Sequence, residues 1–129
     1  MLSKDKLESY MMELGLSFEE KNKNVWIVFG EDKGLENVIV MVDDPIVIIR
    51  VKVMELPKKD RAALFEKLLR LNATDMVHGA YALEGESIIL INTLLAETMD
   101  LEEFQASFDA LGLALAQHYE VLAKYREKE

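Results

Sequence analysis

Residues 46–72, IVIIRVKVMELPKKDRAALFEKLLRLN, decide the fold class, because the spacing of apolar residues changes within them from two to nearly four. The run is continuously apolar from Ile46 to Ile49, after which Ile49, Val51 and Val53 alternate with Arg50 and Lys52. This predicts a strand over 46–54 that begins buried on both faces and ends with one face wet. Pro57 then suits the first position of a helix, where its missing N–H would have had no intrahelical partner. Leu64, Phe65, Leu68, Leu69 and Leu71 mark one broad apolar face, which predicts a helix over 58–71.

Upstream, Val25-Trp26-Ile27-Val28-Phe29 is β-branched and aromatic and reads as a strand, and 38–42 reads as another, stopped by Asp43-Asp44-Pro45. Gly30 to Gly34 supply turn chemistry between them, so three strands joined by short turns form an antiparallel meander. Residues 17–24 are polar and read as a connection. Before them Leu7, Tyr10, Met11 and Leu14 recur at helical spacing, with Ser3 as N-cap and Gly15 placed for a left-handed C-terminal cap; a helix is predicted over 4–14.

Downstream, Asn72-Ala73-Thr74-Asp75 ends the second helix, and strands over 77–83 and 87–94 flank Glu84-Gly85-Glu86, where the glycine can take positive φ and close a hairpin. Asp100 and Glu103 have the spacing of a capping box. They open a long helix whose stripe is Leu101, Phe104, Phe108, Leu111, Leu115 and Leu122, with Tyr119 and Tyr125 alongside and Lys124, Arg126 and Lys128 complementing the dipole at its end. The expected fold is α+β, an antiparallel sheet with the order α-β-β-β-α-β-β-α in a single domain over 1–129.

The chain has 129 residues, 50% of them hydrophobic and 30% charged, a balance that supports one core. It contains no cysteine, which excludes disulfides, thiolate metal sites and a cysteine nucleophile and fits the cytoplasm. Charges interrupt the N-terminal stretch where a signal peptide needs its apolar run, and no later run approaches the ~20 residues that span a bilayer. The net charge of −9, with Lys and Arg scattered among acids, disfavours nucleic acid.

Chemistry finds little footing. His78 and His118 are the only histidines and have no second ligand at helical spacing, so each is read as an ordinary hydrogen-bonding or solvent-facing residue. Ser87 lacks the glycines of a nucleophile elbow, and neither Gly30 nor Gly34 opens a helix with a phosphate loop. The pairs Asp43 with Asp44 and Glu84 with Glu86 sit in turns, where acids serve solvation. No catalytic residue, metal or cofactor is expected. Seven methionines fill cores but also suit surfaces that repack around apolar ligands, and Met11 and Met12 cannot both lie at the centre of one helix face. Trp26 is either a strand-packed aromatic or an anchor for a docking peptide.

The element order, with Glu55-Leu56-Pro57 leading into Leu64-Phe65-Glu66-Lys67-Leu68-Leu69-Arg70-Leu71-Asn72, resembles the class I type III secretion chaperones and the related YbjN family over nearly the whole chain. The small-residue strand Gly79-Ala80-Tyr81-Ala82-Leu83, the hairpin Glu84-Gly85-Glu86 and the long last helix belong to the same pattern. The resemblance implies a non-enzymatic homodimer whose apolar patches bind an extended segment of a partner protein. Exposed-apolar reasoning places that binding on Leu7, Met11 and Met12 of the first helix and on Trp26, Val28 and Val40 of the meander, with dimerisation through the second helix and the strands after it. The alternatives are a YbjN-like regulatory or adaptor protein that binds a folded partner and a small-ligand binder, which would need a deep pocket with convergent polar groups.

Overall fold

The computed structural model describes residues 4–30, 35–76 and 78–126. The expected cap at Ser3, the turn residues 31–34, the strand start at Val77 and the terminal Lys128 lie outside the described residues. The elements are α1 (Lys4–Glu13), β1 (Ser17–Asn22), β2 (Val25–Gly30), β3 (Leu35–Asp43), β4 (Ile46–Glu55), α2 (Arg61–Thr74), β5 (Ala80–Glu84), β6 (Ser87–Leu95) and α3 (Leu101–Ala123). The six strands form one antiparallel sheet in the order β1-β2-β3-β4-β6-β5. The expected α+β architecture is therefore present, with one strand more than the periodicity shows.

That extra strand is β1. Only Phe18 is partly shielded, and the other five residues of SFEEKN face water, so no apolar alternation marks it. It is held by its pairing to β2, from Ser17 opposite Phe29 to Asn22 opposite Val25. A charged edge strand of this kind also discourages pairing with other chains. Asn24 takes φ 64° in the two-residue turn between β1 and β2, a left-handed position that asparagine tolerates.

Register divides the sheet into two faces. Trp26, Val40, Ile49 and Asn92 stand side by side across four strands, as do Val51, Leu90 and Tyr81 across three. These rows, with Val28, Val38, Val47 and Ile88, carry the core. All three helices lie on this face. Leu7 and Met11 seat α1, and the Trp26 indole donates to Glu8 at 2.8 Å. Phe104, Phe108, Leu111 and Leu122 seat α3, and Asn92 hydrogen-bonds Ser107 across from β6. Helix α2 lies beside the C-terminal half of α3 and buries Leu64, Leu68 and Leu71.

Helix ends follow local chemistry. Gly15, at φ 72°, closes α1 with two backbone bonds, Gly15 to Met12 and Leu16 to Met11, which satisfy its last carbonyls. Asp100 accepts from the Glu103 backbone N–H at 2.8 Å, the forward half of the expected capping box. Helix α2 starts three residues later than expected. Asp60 takes a left-handed conformation and makes no side-chain cap, while the Pro57 carbonyl accepts from Arg61 Nε at 2.7 Å, so the Pro57 segment is a turn and not the first helical turn. Leu69, expected on the apolar face, is 69% exposed.

Gly79, just before β5, passes close to the backbone of β6. It has φ +81°, and a Cβ there would lie 2.6 Å from the Ile91 carbonyl oxygen. Gly79→Ala should cost at least about 2 kcal/mol, from backbone strain together with displacement of β5 from β6. Urea unfolding should show a lower midpoint with an unchanged slope; an unchanged midpoint would refute this close approach.

Candidate protein-binding face

Strand alternation sends half of the sheet's apolar residues to the face opposite the helices. Across it run Ile27, Ile39, Arg50, Ile91 and Ala80 in one row and Val25, Met41, Ile48 and Thr93 in the next, with Ile46 and Leu95 beyond. Ile27, Ile39, Met41, Ile48 and Ile91 are only partly buried, with no helix above them among the described residues. Ile89 is nearly buried within the same face, and Phe29 and Leu95 are exposed at its margins. The strand over Ile46–Glu55 was expected to start buried on both faces; its Ile46 and Ile48 are instead partly open, because the helices cover a single face.

Charge borders this apolar surface at one end. Arg50 pairs with Glu84, Lys52 pairs with Glu55, and Ser87 Oγ donates to Glu55 at 3.3 Å. Such pairs are exposed and contribute little stability, but they interrupt a flat surface that would otherwise invite self-association.

The expected binding residues are divided by this geometry. Leu7, Met11, Trp26, Val28 and Val40 have no accessible surface and face the core, so they hold the helices and sheet together and are not open to a docked segment. Met12 is 65% exposed and remains available. The neighbours one position away, Ile27 and Ile39, are on the open face. Alternation across β2 and β3 was readable in the sequence, but which set faced the helices depended on packing.

A polar lock lies beneath α2. Asn72, the last residue of the LL-x-L-N stretch, accepts from the Tyr81 backbone N–H at 2.7 Å and donates to the Tyr81 carbonyl at 3.2 Å, so a side-chain amide occupies the outer edge of β5. The Tyr81 hydroxyl lies 2.7 Å from His118 Nδ1, and His118 Nε2 lies 2.9 Å from Asp75. An ionised Asp75 can only accept, so His118 Nε2 donates to it, while Nδ1 and the Tyr81 hydroxyl share the second hydrogen bond. His118 is 3% exposed, and the ordinary hydrogen-bonding role expected for it is met on both ring nitrogens. His78 is exposed. Among the described residues no buried side-chain polar atom lacks a partner, and no three acidic or histidine side chains converge to hold a metal.

This lock should be visible in the pH dependence of stability. The Thr74 hydroxyl and then His118 hold Asp75 below the usual carboxylate range, so its contribution is present above about pH 3.9 and is lost as pH falls further. Burial, with the Asp75 charge adding to it, pushes the Tyr81 phenol up to about 12, so stability is full below about pH 10 and is lost as pH rises from there toward 12. Asp75→Asn should flatten the acid limb of a melting-temperature profile, and Tyr81→Phe should flatten the alkaline limb. Unchanged limbs in both variants would contradict the lock.

Among solved structures, E. coli YbjN, described as a candidate transcription regulator, matches with a TM-score of 0.69 at 15% identity, over 92% of this chain and 93% of that one. A chain of the heterodimeric ExoU–SpcU complex from the type III secretion system of Pseudomonas aeruginosa matches with a TM-score of 0.69 at 13% identity, over 86% and 93%. A chain of the complex between the Yersinia pestis type III secretion chaperone SycH and a fragment of YscM2 matches with a TM-score of 0.61 at 16% identity, over 88% and 96%. At these identities the likeness is one of fold. A comparison with curated protein sequences found no match. The sequence model of the CesT_Tir_1 family matches residues 2–128, essentially the whole chain, and this protein belongs to that family.

Proposed function

We propose that this protein is a chaperone-like binding domain, spanning 1–129 and working in the cytoplasm, that holds an extended segment of a partner protein against the open face of its sheet. The observation that carries this reading is the row pattern of that face. Ile27, Ile39, Met41, Ile48 and Ile91 present an apolar surface, interrupted at Arg50, with no helix above it among the described residues. An extended segment places alternate side chains on one side, and laying that side on these rows would bury apolar area at ~25 cal/mol per Å² before ordering costs. Met12, exposed at the end of α1, is a further apolar contact.

A YbjN-like adaptor that binds a folded partner is the second reading, favoured by a TM-score to YbjN equal to that of the secretion-system chain. The two separate on the partner's state. A partner retained through an extended segment stays protease-sensitive outside a short protected stretch, whereas a folded partner is protected as a domain. In either case Ile39→Thr with Ile48→Thr, which keeps β-branched residues in these central strands, should reduce co-purification of the partner from native lysate at least tenfold at a temperature below the variant's own melting transition, since both side chains are partly exposed on the open face. Retention of the partner by this double variant would sink the sheet-face reading.

Self-association through α2 and the strands after it is part of the proposal. Leu69 on α2 is 69% exposed and Leu83 on β5 is 51% exposed, both large apolar groups of the kind an isologous interface buries. Sedimentation velocity should report a dimer for the native chain and a monomer for Leu69→Glu. A native monomer, or a dimer indifferent to the substitution, would remove this interface.

A further inference from the structure

The chain carries a net charge of −9, yet one cleft is lined mainly by cations. It has a volume of about 360 Å³ and is bordered by Lys58, Lys59 and Asp60 ahead of α2 and by Lys124, Tyr125 and Arg126 at the end of α3. Lys58 already has an interaction of its own, so the charge excess that matters comes from Lys59, Lys124 and Arg126 against the one carboxylate of Asp60. Neither Lys59 nor Lys124 is ion-paired among the described residues. Arg126 is positioned by the protein: its guanidinium approaches the Val53 carbonyl at 3.5 Å and lies 5.3 Å from the centre of the Tyr119 ring.

We propose that this cleft binds a small molecule bearing a diphosphate group. Lys59, Lys124 and Arg126 line one cleft, so an anion placed in it gains three attractions against the single repulsion of Asp60. A single carboxylate would leave half of the two-unit excess uncompensated. A diphosphate group carries enough negative charge to match it, the two ammonium groups act as movable point charges, and the guanidinium offers a fixed fork to the phosphoryl oxygens. The cavity volume falls at the lower end of the range for small-molecule sites. The Tyr125 ring, packed partly against the core, supplies a rigid wall beside the charges. This site is separate from the open sheet face and does not depend on the partner-binding reading.

The test is a titration of the full-length protein with inorganic pyrophosphate, followed by backbone amide chemical shifts, with inorganic phosphate and citrate as comparison anions. Saturable shifts confined to residues 58–61 and 124–126, weakened by added salt, are expected. Asp60→Asn removes the one carboxylate that lines the cleft among the described residues while keeping a residue that tolerates the left-handed backbone, and it should tighten pyrophosphate by at least about fourfold, the Coulomb effect in water of one unit charge ~5 Å from a single charge of the ligand. Lys59→Gln and Lys124→Gln should each weaken it by about the same factor. A gain of affinity cannot arise from misfolding, so the Asp60 variant separates a site from a damaged protein. Shifts that fail to saturate at millimolar anion, shifts spread equally over Lys21, Lys23 and Lys67, an Asp60→Asn variant with unchanged affinity, or citrate bound as tightly as pyrophosphate would each overturn the proposal.

Discussion

Three helices cover one face of a six-stranded sheet, and the rest of the molecule follows from that one-sided burial. The covered face holds Trp26, Val40 and Ile49 beneath α1 and α3, and its burial supplies the driving force for folding. No helix covers the other face among the described residues, so the apolar residues that alternate with these, Ile27, Ile39 and Ile48 among them, remain partly open. The same alternation that builds the core therefore leaves an apolar surface on the other side.

Exposing such a surface carries an aggregation hazard, and the molecule manages it locally. Arg50 and Lys52 place charges within the open rows of β4, β1 is a charged edge, and Asn72 occupies the outer edge of β5 with its side-chain amide. The acidic net charge adds long-range repulsion between copies. What remains open is a limited apolar area with polar borders, the form that a binding surface takes when it must stay soluble without its partner.

The Tyr81, His118 and Asp75 chain fixes how α2 sits against α3. It ties β5 to the C-terminal half of α3 and α3 to the end of α2, and at the other end of α2 the Pro57 segment lies beside the end of α3. Lysines that precede one helix and basic residues that end another are thereby drawn into one cleft. Each group reads separately as an ordinary helix-end charge, and the long sequence separation between them hides the cluster.

The sequence alone determined the element types wherever apolar spacing was strong: α1 by Leu7 and Met11, β4 by its alternation, the β5–β6 hairpin by Gly85, and α3 by its stripe and its Asp100 cap. Their order also carried the family likeness. Packing decided the remainder. Strand β1 has no apolar face of its own and exists through hydrogen bonds to β2, the start of α2 depends on the Arg61 contact with the Pro57 carbonyl, and the fate of Leu69 depends on where α2 docks. The binding-face residues show the limit most clearly. Periodicity separated Trp26, Val28 and Val40 from Ile27 and Ile39 into two sets, but both sets are apolar, and a pattern of period two has no term that says which side the helices will cover. Only the docking of α1 and α3 broke that symmetry, burying the first set and leaving the second open to water.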